Sequence, residues 1–99
     1  MQDHEIIEKL NNLKTMVNEK LFGADVLEVR SGDGGTPRVA VRPGFRNTEL
    51  IDALAIDGLI GPGINNVFFT ARAKDMISEI AVDNGFEIKF MYSQCFILA

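Results

Sequence analysis

Four of the chain's five arginines, Arg30, Arg38, Arg42 and Arg46, fall within seventeen residues, interrupted by a single acid, Asp33. That window carries a net charge of +3, while residues 1–29 carry −3 and residues 47–99 carry −4. A basic island in an acidic protein marks a place where something anionic can dock. Every cation in the window is arginine, whose planar fork of donors matches carboxylate and phosphate. The competing reading is a solvated sheet face on which the arginines pair with Glu28 and with acids nearby, at little energetic gain. Arg72 forms a second candidate. It lies where a short apolar strand hands over to a helix, and free backbone donors at a helix start attract anions.

The elements that must hold these side chains follow from periodicity. Ile6, Ile7, Leu10, Leu13, Val17 and Leu21 recur at helical spacing. Asp3 suits the N-cap, and Gly23 suits the end. The opposite face, Glu8, Asn11, Asn12, Thr15, Asn18 and Glu19, reads as solvated. Ala24–Arg30 and Pro37–Arg42 alternate around the turn composition Ser31–Thr36, which makes a β-hairpin. With the valines inward, Arg30, Arg38 and Arg42 project from one outer face, and Arg46 follows just past the hairpin. Gly32–Thr36 lacks both the Gly-Lys-Ser/Thr ending of a P-loop and a GxGxxG pattern, so it reads as a plain turn; Asp33 is kept as a ligand candidate.

A second helix is expected from Asn47 or Thr48 through Ile60, stopped by Gly61-Pro62-Gly63. Asn65 and Asn66 then precede an apolar strand, Val67–Thr70. A third helix runs from Ala71 to Asn84, with Gly85 after it, and Phe86–Tyr92 alternates as a strand. The closing run Cys95–Ala99 offers one more strand. The order α-β-β-α-β-α-β predicts an α/β (α+β-like) two-layer sandwich. Its sheet is mixed, of four or five strands, with an N-terminal β-hairpin, one βαβ unit whose strands run parallel, and helices packed on it. Ninety-nine residues suit a single small globular domain spanning 1–99.

Other chemistries find less support. His4 stands alone, and no spacing of Cys, His, Asp or Glu suggests a metal or any other cofactor. The one cysteine, Cys95, lies in an apolar run and reads as a small buried hydrophobe. Ser31, Ser78 and Ser93 have no GxSxG setting. No catalytic residue is assigned, and the chain is expected not to be an enzyme. An acidic N-terminus, a lone cysteine and the lack of an apolar run long enough to span a bilayer point to a cytoplasmic protein without membrane contact. A sequence pI of about 4.8 and the absence of outward aromatics on the hairpin weigh against nucleic acid.

Two functions stay open on these grounds. One is a non-catalytic binding or regulatory protein that captures an anionic ligand, a phosphorylated small molecule or nucleotide, with Arg30, Arg38, Arg42, Arg46, Arg72 and Asp33. The other is an inhibitor or adaptor that binds a larger protein, including one that handles nucleic acid, through an acidic or basic surface. The apolar C-terminal run also suggests a homo-oligomer joined through Phe90, Tyr92, Phe96 and Leu98.

Overall fold

The computed structural model describes residues 3–31, 35–42, 48–62 and 67–99. Asp33 and Arg46, together with Asn47, Gly63, Asn65 and Asn66, lie outside them. The chain forms a compact α+β fold. Helix α1 spans Asp3–Val17 and widens into a π-helical turn over Asn18–Phe22. Strands β1 (Leu27–Arg30) and β2 (Arg38–Val41) follow, then α2 (Thr48–Ile56), β3 (Ile60–Pro62), β4 (Val67–Phe69), α3 (Ala71–Asp83), β5 (Ile88–Met91) and β6 (Cys95–Leu98).

Four strands join in the order β1-β2-β6-β5, and every neighbouring pair is antiparallel. β3 and β4 make a separate antiparallel ribbon. The expected parallel βαβ unit is therefore replaced. The strands flanking α3 sit in different sheets, β4 against β3 and β5 against β6. Hairpin closure explains the outcome. β5 and β6 are separated by three residues, so they meet at far lower entropy cost than strands separated by a helix. The apolar Cys95–Leu98 run then gains burial by lying between β5 and β2.

One sheet face carries Leu27, Val29, Val39, Val41, Ile88, Phe90, Phe96 and Leu98. On it pack Leu10, Leu13 and Val17 of α1 and Ala73, Ile77 and Ala81 of α3, all completely buried. Phe69 enters from β4 and meets Phe90 edge-on at 5.9 Å between ring centroids, and Phe90 meets Phe96 at 5.6 Å. Such offset aromatic pairs add to the area buried.

Three further expectations are corrected. α2 stops at Ile56 rather than Ile60, because Gly58 adopts a left-handed φ of 73° and turns the chain. That turn sends Leu59 and Ile60 into the core and leaves Ile56 exposed. Gly61 is not part of a helix stop. It lies in β3 opposite Phe68, whose ring would come within 2.4 Å of any Cβ placed there. Asn18, expected on the solvated face of the first helix, is buried to 6 % exposure.

Asn18 is buried because the π-helical turn rotates it toward the start of β1. Its side-chain oxygen accepts from the Val26 and Leu27 N–H groups at 3.2 and 3.0 Å. Its amide donates to the Leu27 carbonyl at 3.3 Å and to Asp25 at 3.2 Å. All four partners lie where the chain leaves the helix and enters the sheet, so one side chain sets that junction.

Candidate functional site

The hairpin register fixes the arginines. Arg30 stands directly opposite Arg38, and Glu28 opposite Ala40. The Arg42 N–H donates to the Val26 carbonyl at 3.0 Å, which extends the ladder. Bonded pairs alternate in an antiparallel ladder, so Arg30 and Arg38 also form a bonded pair, with Cα atoms about 5.5 Å apart. Both side chains leave the face opposite the core. Beside them on that face are Ala40, Met91, Cys95 and Ile97, with Lys89 at the far edge. α1 and α3 both pack on the other face. The outer face is thus an apolar strip with a pair of arginines at one end.

Arg42 separates from this pair. It lies four residues farther along the chain from Arg38, about 13 Å at the rise of an extended strand. Its guanidinium donates to the Asp25 carboxylate, which Asn18 also holds. Arg42 thereby closes a chain of polar contacts from the hairpin to the helix. By register the three share the outer face, with Arg30 and Arg38 directly opposed and Arg42 farther along, engaged by Asp25. Arg30 has a partner as well, donating from Nε to Glu28 at 3.0 Å on the same face. Both pairs are substantially exposed, so each contributes little to stability. Among the described residues, Arg38 meets no carboxylate within salt-bridge distance.

Arg72 is not brought to the hairpin. Its helix contacts β5, and β6 lies between β5 and β2. The Arg72 stem runs past Gly58 instead, where a Cβ would lie 3.7 Å from its Cδ. The helix start beneath it is also occupied. The Thr70 hydroxyl oxygen accepts from the Ala73 N–H at 3.1 Å, and the hydroxyl donates to the Gly58 carbonyl at 2.5 Å. An N-cap of this kind takes up a donor that an anion would otherwise use. Thr70 thus caps α3 and ties it to the end of α2, and Arg72 stands apart from the arginine pair.

The residues expected at an oligomer interface also divide. Phe96 has no exposed surface in a single chain and belongs to the core, so it has no face to offer a second copy. Phe90 and Leu98 are half-buried against the same core. Tyr92 is 88 % exposed at the β5–β6 turn.

An open cleft of about 480 Å³ lies between the end of α1, the π-helical turn and the link that follows it, lined by Lys14, Thr15, Asn18, Glu19, Ala24 and Asp25 among others. Its charges are mixed, and the paired arginines do not line it. Among the described residues, no cluster of three His, Cys, Asp or Glu is placed to hold a metal ion. None of the described helices is long and apolar enough to cross a membrane. No protein-family model, curated protein or solved structure matches the chain.

Asn18 is the residue that pattern reading missed. Periodicity assigned it to the wet face because it assumed 3.6 residues per turn throughout, and the π-helical turn breaks that count.

Proposed function

We propose that this chain is a non-catalytic binding protein that docks an anionic partner on the outer face of its four-stranded sheet, with Arg30 and Arg38 as the principal contacts. The observation that carries this reading is the directly opposed Arg30–Arg38 pair. Like charges facing each other across strands are destabilising, and among the described residues Glu28 compensates only one of them. An incoming carboxylate or phosphate would relieve the other and accept bidentate bonds from it.

The shape of the face supports a broad partner. It is a sheet face with an apolar strip of half-buried Met91, Cys95 and Ile97 beside the cations, which suits an acidic protein surface carrying apolar groups. An inhibitor or adaptor acting on a larger protein therefore moves ahead of capture of a phosphorylated small molecule or nucleotide. The small-ligand reading keeps one supporting feature, the two guanidinium forks within reach of a single phosphate. Arg46 and Asp33 stay candidates of both readings by their sequence position. Arg42, bonded to Asp25 as Arg30 is to Glu28, stays a candidate too, whereas Arg72 lies apart from the hairpin.

The test uses two probes, a polyglutamate peptide for the acidic surface and ATP for the phosphate ligand. Binding to wild type, Arg38→Glu and Arg30→Glu/Arg38→Glu is measured by calorimetry at low salt, with Lys20→Glu as the control. At least one probe is expected to bind and to weaken tenfold or more on charge reversal at Arg38, in line with the loss of a charge-assisted bond. Equal binding by wild type and the double reversal, or no binding of either probe, removes the proposal.

A further inference from the structure

The four-stranded sheet has two edges, β1 and β5, and the structure treats them differently. Edge backbone groups of a sheet recruit further strands unless something blocks them. At β1 the edge is plugged at Leu27, while the N–H and C=O of Val29 also point outward. Its outward-facing groups include the N–H and C=O of Leu27, and Asn18 bonds both of them. At β5 no such plug exists among the described residues.

The register shows which β5 groups are open. The Ala99 N–H donates to the Glu87 carbonyl at 2.9 Å, so Glu87 spends its ladder bonds on β6. Alternation then directs Lys89 and Met91 to β6 as well, opposite Ile97 and Cys95. The N–H and C=O groups of Ile88 and Phe90 are left pointing out of the sheet. The Phe86 N–H is already bonded to the Ala81 carbonyl at 2.8 Å, leaving its carbonyl available.

We propose that the β5 edge is a self-association surface whose occupant is β5 of a second copy of this chain, antiparallel and related by a two-fold axis through Ile88. Charge selects this register. Centred on Ile88, Glu87 faces the partner's Lys89 and Lys89 faces the partner's Glu87, both on the outer face. Centring on Lys89 would oppose two ammonium groups, and centring on Phe90 would set Lys89 against the partner's Met91. In the selected register Ile88 exchanges two backbone bonds with the partner's Ile88. The Phe90 N–H reaches the partner's Phe86 carbonyl, and the reciprocal bond forms as well. On the inner face Phe86 stacks beside the partner's Phe90, so the two cores become continuous. The contact is isologous and closes on itself, giving an eight-stranded sheet rather than a fibre.

Lys89 alone would read as the charge that keeps an edge strand from pairing. Its exposed neighbour Glu87 two residues away turns that block into a key that accepts only one register.

The test is a charge swap read by analytical ultracentrifugation, with circular dichroism confirming the fold of each exposed-site variant. Wild type is expected to form dimers. Glu87→Lys and Lys89→Glu each replace two attractive pairs with two repulsive ones and should weaken dimerisation about tenfold or more. The double variant Glu87→Lys/Lys89→Glu restores complementary pairs and should recover the dimer. Amide exchange should show Ile88 and Phe90 protected in the dimer and exposed in the single variants. A wild type that stays monomeric up to about 1 mM, the weak end of specific association, overturns the proposal. So does a dimer that ignores the single reversals or that the double swap fails to restore. Arg30 and Arg38 are untouched in all of these variants, so the outcome is independent of the anion-binding test.

Discussion

Asn18 makes four hydrogen bonds from a nearly dry position, three of them to the backbone of residues 26 and 27. Removing one partner of a buried bond costs the desolvation of the group left behind. Asn18→Ala is therefore expected to destabilise the fold by about 3 kcal/mol, since the Leu27 N–H and C=O both lose their partner and the Val26 N–H keeps only the Ala24 carbonyl. Urea denaturation measures this directly, and a loss below about 1 kcal/mol, the worth of one ordinary bond, would remove Asn18 from the central role given to it. Arg38 contrasts with it. Surface charges of this type change stability by less than about 0.5 kcal/mol, so Arg38→Glu should leave the midpoint nearly unchanged while weakening binding of the anionic probe tenfold or more. Stability and function thus separate at single residues.

Among the elements, the β5–β6 turn is the most strained segment described. Tyr92 and Ser93 both adopt left-handed backbone, with φ of 56° and 59°, and neither is glycine. Two consecutive positive φ angles match the right-handed twist of a hairpin, which is why such turns favour Asn-Gly. Here the strain is held by contacts on both sides. The Gln94 N–H donates to the Met91 carbonyl at 3.2 Å, and the Ser93 carbonyl accepts from the Phe69 N–H at 2.7 Å. The second bond joins the four-stranded sheet to the β3–β4 ribbon. Ser93→Gly keeps that carbonyl and relieves the strain, so it should stabilise by about 0.5–1 kcal/mol, a few degrees in Tm. A lower Tm would show that the serine side chain contributes something the backbone does not reveal.

At the scale of the molecule, the C-terminal strand decides the architecture. β6 lies between β2 and β5 and carries Phe96 into contact with Phe69 and Phe90. Truncating a buried phenylalanine removes its transfer free energy and leaves a cavity. Phe96→Ala is expected to cost about 3–5 kcal/mol, whereas Tyr92→Ala should cost less than about 0.5 kcal/mol as an exposed substitution. Thermal unfolding of the pair tests the assignment of Phe96 to the core rather than to an interface, and equal effects would contradict it. The same central placement leaves β5 as an edge, where the Glu87–Lys89 key can act. Dimerisation at that edge would set two outer faces side by side and double the number of arginine pairs presented to one partner.

The amino-acid sequence by itself determined the helices at 3–22 and 71–83, the arginine hairpin and its outward face, and the strand after Gly85. Each rests on local rules: apolar spacing, glycine at helix ends and alternation about a turn. It also supplied the charge asymmetry that singles out Arg30, Arg38, Arg42 and Arg46. The tertiary structure decided what those rules cannot reach. Which strands are neighbours depends on closure entropy and on where the apolar tail finds burial, so the parallel pairing expected from element order gave way to an antiparallel sheet. The engagement of Arg42 by Asp25 depends on the register that sets Arg42 opposite Val26. The plugging of the β1 edge at Leu27 by Asn18 depends on a single π-helical turn, a departure of one residue from regular periodicity that only packing could select.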